Sequence, residues 1–363
     1  MRRGLISHSR PELPDAVLDS RVARVRAAMG EAQLDVLVLY SNNTRPAGVS
    51  WLTGFVPYWS EALLVLPRER PPVLVVALTY RVKSWIERTS RVADVIHGPR
   101  VGQEAARMIA AAHANATVGV PDLDHLPAGI IDDLRSGGPR LVLVDATSMF
   151  ALLRGEADPA EVALAGKSAR IAQCALKRAA LASAGGESLA AIIAATEGEA
   201  RRLGAEEVYI AAAPDLLCDT RLRRIEGQAR LGRSFALRAT VAYQGTWIRL
   251  VRTFADPNVR ATANRSLATA AALLPSDRGF AGFASWLIEG CRVAQPLEPL
   301  AGSRLHTPHP IPSRALVSVQ GTLRLGGQPV LVGAPALLGM PGEAGSLLVH
   351  SCDSGMSGYA LIK

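Results

Sequence analysis

The pattern of apolar residues changes at Asp158-Pro159, and this change is the strongest constraint on the fold. Before it, short apolar runs such as 35–40 (DVLVLY) alternate with stretches in which apolar residues recur at helical spacing. After it, two long helical stretches, 159–183 and 187–203, precede mainly strand-like segments. The first pattern predicts an α/β domain with a largely parallel sheet, and the second predicts an α+β domain with a mostly antiparallel sheet.

A chain of 363 residues is long enough for two domains, each with its own core. We predict an N-terminal domain over residues 1–152 and a C-terminal domain over residues 153–363. Asp158 followed by Pro159 is typical of a helix start, because the aspartate side chain accepts hydrogen bonds from the first amides and proline fits the first turn.

The positive charge of the chain does not indicate nucleic-acid binding. The formal net charge is +8, but only four residues are lysine and the arginines are scattered apart from a cluster at 221–224. Basic tails, aromatic-interleaved basic patches and zinc-finger spacings are missing from the sequence. We therefore predict that the protein binds no nucleic acid, and we expect a small anionic or carbonyl-bearing ligand instead.

The cysteines and the apolar runs predict a cytoplasmic protein. Four cysteines lie far apart with no CxxC pair, which suits a reducing compartment: Cys174, Cys218, Cys291 and Cys352. The first 17 residues lack the apolar core of a secretory signal, and no run approaches the ~18 apolar residues of a membrane span. We expect no association with a membrane.

Residues 232–254 (GRSFALRATVAYQGTWIRLVRTF) predict a β-hairpin that carries two arginines among apolar residues. Arg238 shares a face of the first strand with Ala236 and Thr240, and Arg249 shares a face of the second strand with Trp247 and Val251. A buried guanidinium is costly unless an anionic group neutralises it. The hairpin therefore predicts an anionic group opposite the two arginines.

Three segments together resemble the creatinase/aminopeptidase P/prolidase family. They are residues 21–55 (RVARVRAAMGEAQLDVLVLYSNNTRPAGVSWLTGF), residues 152–176 (LLRGEADPAEVALAGKSARIAQCAL) and the Arg252-Thr253-Phe254 end of the hairpin. The resemblance implies an α/β creatinase-like N-terminal domain and an α+β "pita-bread" C-terminal domain. It also implies a dimer, because residues near Tyr58 and Trp59 reach the partner subunit's pocket in this family.

The resemblance implies that the family's metal ligands are replaced here. Active metallopeptidases of the family hold two divalent metals with two aspartates, a histidine and two glutamates. The matching positions here are Arg238 and Arg249 for the aspartates, Cys291 for the histidine, Gln320 for one glutamate, and Gly333 or Ala334 for the other. Guanidinium groups cannot bind divalent cations, so we predict that the protein uses no metal and no cofactor.

The metal-free chemistry of creatinase-type members does not transfer either, because the position of their catalytic histidine corresponds to Arg221. No histidine lies between His125 and His306. Arg221, Arg238 and Arg249 are then candidates for charge stabilisation, and His306, His309 and Cys291 are candidates for proton transfer. The candidates for substrate binding are Arg252, Gln320, Tyr58 and Trp59.

Two interpretations of the arginines stay open. In the first, Glu226, Glu289 or Glu298 pairs with the arginines, which fill a former metal cavity. In the second, the arginines clamp a carboxylate, phosphate or enolate. The second interpretation favours a metal-independent enzyme of small-molecule metabolism that promotes hydrolysis, elimination or cyclisation. The alternative is a catalytically inactive pseudo-peptidase that serves as a binding or regulatory subunit, as in some histone-chaperone subunits. A peptidase with one weakly held metal is disfavoured by the ligand requirements. A homodimer is expected, or a heterodimer with a paralogue.

Overall fold

The computed structural model describes residues 9–44, 47–57, 60–225, 228–292, 295–304 and 311–349. In the first half of the chain, strands and helices alternate as the sequence predicts. The strands are β1 (Val36–Asn42), β2 (Glu61–Pro67), β3 (Val73–Val76), β4 (Asp94–His97), β5 (Thr117–Val120) and β6 (Val142–Asp145). The helices are α1 (Asp15–Glu31), α2 (Ala47–Thr53), α3 (Lys83–Thr89), α4 (Val101–Ala112), α5 (Ala128–Gly137) and α6 (Thr147–Gly155).

These six strands form one mixed sheet in the order β4-β3-β2-β1-β5-β6. Three of its five strand pairs are parallel, and the two pairs that involve β2 are antiparallel. Alternate residues of β1 enter different cores, because Leu37 packs with residues of α1 and α2 whereas Val38 packs with residues of α4 and α5. The sheet therefore lies between two helical layers, which confirms the predicted α/β architecture.

The second half of the chain builds a larger antiparallel sheet with helices against it. Its helices are α7 (Pro159–Ala184), α8 (Leu189–Arg202) and α9 (Pro257–Ala272). Its strands are β7 (Glu207–Ala213), β8 (Phe235–Tyr243), β9 (Thr246–Phe254), β10 (Phe283–Arg292), β11 (Gln295–Gly302), β12 (Leu316–Leu325), β13 (Gln328–Leu337) and β14 (Ser346–Leu347). The order is β11-β10-β12-β13-β9-β8-β7, and β14 pairs with β13. This arrangement confirms the predicted α+β architecture.

The hairpin of β8 and β9 forms as predicted, with a two-residue turn at Gln244 and Gly245. Both turn residues have positive φ angles, 45° and 72°, which is the geometry that lets a two-residue turn follow the twist of its strands. Leu237 and Leu250 lie on the face that packs into the core with α7 and α8. We call this the outer face of the sheet and the opposite face, which carries Arg238 and Arg249, the inner face.

The sheet curves at β9, where the pairing with β13 is short. β9 pairs with β13 only at Val251 and Arg252. The backbone N–H of Arg249 donates instead to Oγ of Ser318 on β12, at 2.9 Å. The curvature brings residues of β10 and β12 towards the inner face of the hairpin.

Arg21 links the two halves of the chain through buried contacts. Its side chain is 1% exposed, its Nε donates to Oδ2 of Asp158 at 2.6 Å, and its Nη1 donates to the carbonyl of Trp51 at 2.8 Å. Asp158 also accepts from the amide of Glu161, whose side chain accepts from the amide of Asp158. The predicted start of α7 is thus confirmed, with a reciprocal cap that is tied to α1. The domain limits 1–152 and 153–363 remain a prediction.

Replacement of Arg21 should strongly destabilise the fold. Arg21→Ala leaves the carboxylates of Asp158 and Glu161 without their cation in a buried site, so we expect the free energy of unfolding to fall by about 3–5 kcal/mol. Arg91→Ala is the matched control, because Arg91 forms an exposed pair with Asp19 and its loss should cost less than about 1 kcal/mol. Urea denaturation followed by circular dichroism measures both. Equal effects of the two substitutions would contradict a central role for Arg21.

Candidate functional site

The two hairpin arginines are diagonal neighbours on the inner face. Arg238 pairs across the strands with Val251, and Arg249 pairs with Thr240. Diagonal neighbours of this kind lie roughly 7–8 Å apart at the backbone, which is within reach of long side chains. Both guanidinium groups therefore occupy the same region in front of the hairpin.

Glu289 on β10 is the anionic partner of Arg249. Its carboxylate is paired with Nη1 of Arg249, and its side chain is only 3% exposed. Its second oxygen accepts a hydrogen bond of 3.4 Å from the amide of Gln320 on β12. Of the three glutamates predicted as partners, Glu289 forms the pair, Glu298 is exposed on β11, and Glu226 lies outside the described residues.

The positive charge of Arg238 is less well neutralised than that of Arg249. Its Nε is buried and has no hydrogen-bond partner among the described residues. Burial lowers the pKa of Arg238, the positive charge of Arg249 lowers it further, and the charge of Glu289 partly offsets both effects. The described side chains thus set two guanidinium groups against one carboxylate, which leaves a net positive charge in a partly buried site.

The surroundings of Arg238 are apolar. Val251 faces it across the hairpin and packs in a small inner-face cluster with Leu216, Ala236 and Leu331. A positive group beside apolar side chains suits a ligand that combines an anionic group with a small hydrocarbon part.

Cys291 lies beside this site, but its thiol is not activated as a nucleophile. Its Sγ is 3.3 Å from Oγ of Ser318. Burial raises the pKa of Cys291 to about 12, because the favourable effects of Ser318 and Arg249 are smaller than the cost of desolvation. A buried neutral thiol is a poor nucleophile and a poor proton-transfer group near pH 7, and the role of Cys291 in proton transfer stays a prediction.

The side chains of this site do not fit a pair of divalent cations. Among the described residues, no group of three histidine, cysteine, aspartate or glutamate side chains is placed to hold a metal. Guanidinium groups have no lone pair to offer, and the carboxylate of Glu289 is already paired with Arg249.

Comparison with known proteins identifies the fold. Residues 21–155 match the family model of the Creatinase/Prolidase N-terminal domain, and no curated protein matches the chain by sequence. Dipeptidase PepE from Mycobacterium ulcerans superposes with a TM-score of 0.66 at 17% identity over 93% of this chain and 97% of that one. Xaa-Pro dipeptidase from Bacillus anthracis gives 0.68 at 12% identity over 93% and 99% of the two chains. The N-terminal domain of the FACT complex subunit SPT16 from chickpea gives 0.62 at 11% identity over 92% and 96%.

The chain has the two-domain pita-bread fold of these structures, and its residues 21–155 are similar to the Creatinase/Prolidase N-terminal domain. The creatinase-like segment predicted from residues 21–55 lies inside the matched range. The likeness to the solved structures extends through the antiparallel second half of the chain. The fold thus confirms the resemblance, and the role of each inner-face residue stays a prediction.

The structure places two predicted site residues away from the inner-face arginines. Arg252 lies on the outer face of β9, because it is three residues from Arg249 and pairs with Leu237 and Val332. Its guanidinium lies over the ring of Phe254, so Arg252 cannot bind a substrate at the inner face. The side chain of Arg221 is 79% exposed in a loop, where Asp219 binds it, and it does not join the buried arginines.

Four predicted residues of the site lie outside the described residues. Tyr58 and Trp59 follow the described part of the Trp-Leu-Thr-Gly-Phe segment, and His306 and His309 fall between β11 and β12. Their suggested roles in substrate binding and proton transfer stay predictions.

Ser318 is an inner-face residue that the sequence interpretation missed. It precedes Gln320 by two positions in a strand, so strand alternation could have placed both side chains on one face. Gly333 lies in the same part of the sheet, between Val251 and Gln320. A Cβ atom at Gly333 would lie 2.8 Å from Cβ of Gln320, so this position accepts no larger side chain unless its neighbours shift.

The thiol of Cys291 should resist alkylation in the folded protein. With a pKa of about 12, roughly one thiol in ten thousand is ionised at pH 8, and the side chain is buried. Cys218 is exposed and should react with iodoacetamide under the same conditions. Peptide mass spectrometry after timed labelling measures both sites, and labelling in denaturant provides the control. Rapid labelling of native Cys291 would show that the site is open and the thiol activated.

Proposed function

We propose that the inner face binds a small anionic or carbonyl-bearing substrate without a metal, and that the protein is an enzyme of small-molecule metabolism. The observation that carries this proposal is the charge balance of the site, in which Arg238 and Arg249 face the single carboxylate of Glu289. Glu289 is held by Arg249 and Gln320. Arg238 is therefore the cation that an incoming anion would neutralise.

The chemistry of the guanidinium group indicates the type of reaction. A guanidinium donates two parallel hydrogen bonds to a carboxylate, phosphate or enolate. In a partly buried site the same donors stabilise negative charge that develops during hydrolysis, elimination or cyclisation, and this electrostatic contribution is usually the largest in catalysis. The apolar cluster of Val251, Leu216 and Leu331 beside Arg238 would hold the hydrocarbon part of the substrate.

A catalytically inactive binding or regulatory subunit is the second candidate function. It is favoured by the raised pKa of Cys291 and by the pairing of Glu289 with Arg249, because neither side chain is then free to accept a proton. The similarity in fold to a FACT complex subunit is consistent with a pita-bread domain that works in an assembly.

The assembly and the compartment are further parts of this proposal. We expect a homodimer, or a heterodimer with a paralogue, in the cytoplasm. Cys174, Cys218 and Cys291 are unpaired thiols, which fits a reducing compartment. Within the described parts of the chain, no helix has the length and apolar character needed to cross a membrane.

Substitution of the two arginines should separate ligand binding from stability. Arg238→Met removes a poorly compensated buried charge next to apolar side chains, so we expect unfolding free energy to stay unchanged or rise by about 1 kcal/mol. Arg249→Met leaves Glu289 buried without its cation and should cost about 3 kcal/mol. Urea denaturation measures both, and Arg249→Met serves as the control in which the same charge is removed from a compensated position.

The same variants test anion binding and catalysis. Calorimetric titration with succinate, pyruvate and glycylproline should detect binding of at least one of these carboxylates to the native protein, and Arg238→Met should abolish it. Turnover of a metabolite extract, followed by mass spectrometry, should then depend on Arg238 if the protein is an enzyme. Binding without turnover would favour the inactive subunit. A large loss of stability in Arg238→Met with no carboxylate bound by the native protein would show that Arg238 only fills the cavity.

A further inference from the structure

A cavity lies on the outer face of the curved sheet, between α7, α9 and the strands β9 and β13. Its volume is about 430 Å³, which falls in the range of cavities that hold small organic molecules. Gln173 of α7, Arg260 of α9 and Val349 near the end of the described chain each contribute to its wall.

This cavity is separate from the inner-face site because the sheet lies between them. Arg252 and Val332 are paired across β9 and β13 and share the outer face with Leu250. Arg249 lies on the inner face, since it is an odd number of residues from Arg252 in the same strand. The two sites therefore use different side chains of the same strands.

The polar part of the cavity is strongly basic. Three arginines line it, Arg252, Arg260 and Arg265, and the described lining residues include no aspartate or glutamate. Gln173 and Asn264 add amide groups. Arg265 is exposed and donates to the hydroxyl of Thr262, and Arg260 is partly buried, so the positive charge is concentrated on the α9 side of the cavity.

The rest of the cavity is apolar. Leu176 of α7, Leu267 of α9 and Leu250 of β9 are buried in the main core and also line the cavity. Val330, Val332 and Leu347 extend this apolar wall along the strands. A molecule in the cavity would therefore contact hydrocarbon on one side and guanidinium groups on the other.

We propose that this outer cavity binds an amphipathic monocarboxylate, with its carboxylate at Arg260 and Arg265 and its hydrocarbon chain against Leu176, Leu250 and Leu267. A neutral apolar molecule would bring no anionic group to Arg260 and Arg265, and a compact anion such as phosphate would leave the apolar wall in contact with water. An anionic head group with an unbranched chain satisfies both. This site goes beyond the proposed function of the inner face and does not depend on it.

Binding of decanoate to the full-length protein tests this proposal. Calorimetric titration below the aggregation concentration of decanoate should show one site, and decanol should bind at least about tenfold more weakly because it lacks the charge. The double variant Arg260→Ala, Arg265→Ala should weaken decanoate by about tenfold or more. The control double variant Arg178→Ala, Arg202→Ala removes the same charge from exposed positions outside the cavity and should bind as the native protein does.

Two further variants locate the bound molecule. Ala268 is exposed and lines the cavity, so Ala268→Trp should block binding with little effect on the fold. Arg238→Met changes the inner face and should leave decanoate binding intact, even if it abolishes the binding of small carboxylates there. Absence of decanoate binding, equal affinity for decanol, or loss of binding in Arg238→Met with retention in the Arg260→Ala, Arg265→Ala variant would each overturn the proposal.

Discussion

The ion pair between Arg249 and Glu289 is the interaction on which the inner face depends. Its two residues belong to β9 and β10, which are separated in the sheet by β12 and β13. The backbone of Arg249 also bonds Ser318, and Glu289 accepts from Gln320, so one residue pair holds the curved sheet closed in front of the hairpin. A buried pair with further hydrogen bonds is costly to break, since either partner alone would be an uncompensated charge.

This pair leaves Arg238 as the less well compensated cation of the inner face. Glu289 already pairs with Arg249, so it neutralises the positive charge of Arg238 only in part. Because Arg238 is partly buried, this remaining charge has a cost in free energy. An anionic ligand lowers that cost, whereas a divalent cation raises it. The proposed metal-independent function follows from this charge balance.

Local signals allowed much of the fold to be predicted, and long-range contacts limited the prediction of the site. The start of α7 and the hairpin turn depend on Asp158 and Gly245 and their neighbours in sequence. The choice of Glu289 over Glu298 depends on sheet curvature, which no short motif encodes. Arg252 is different, because its odd spacing from Arg249 in one strand places it on the opposite face. For this residue, strand alternation is a better guide than the family motif.

The metal content of the purified protein tests the central account most directly. After incubation with Mn²⁺, Co²⁺ or Zn²⁺ and removal of free ions, elemental analysis should find no stoichiometric metal, because two guanidinium groups repel a cation and Glu289 is held by Arg249. Arg238→Met should remain metal-free as well, since it adds no ligand. One or two ions per chain in the native protein, lost on Glu289→Gln, would contradict the account and identify a metal centre in place of an anion site.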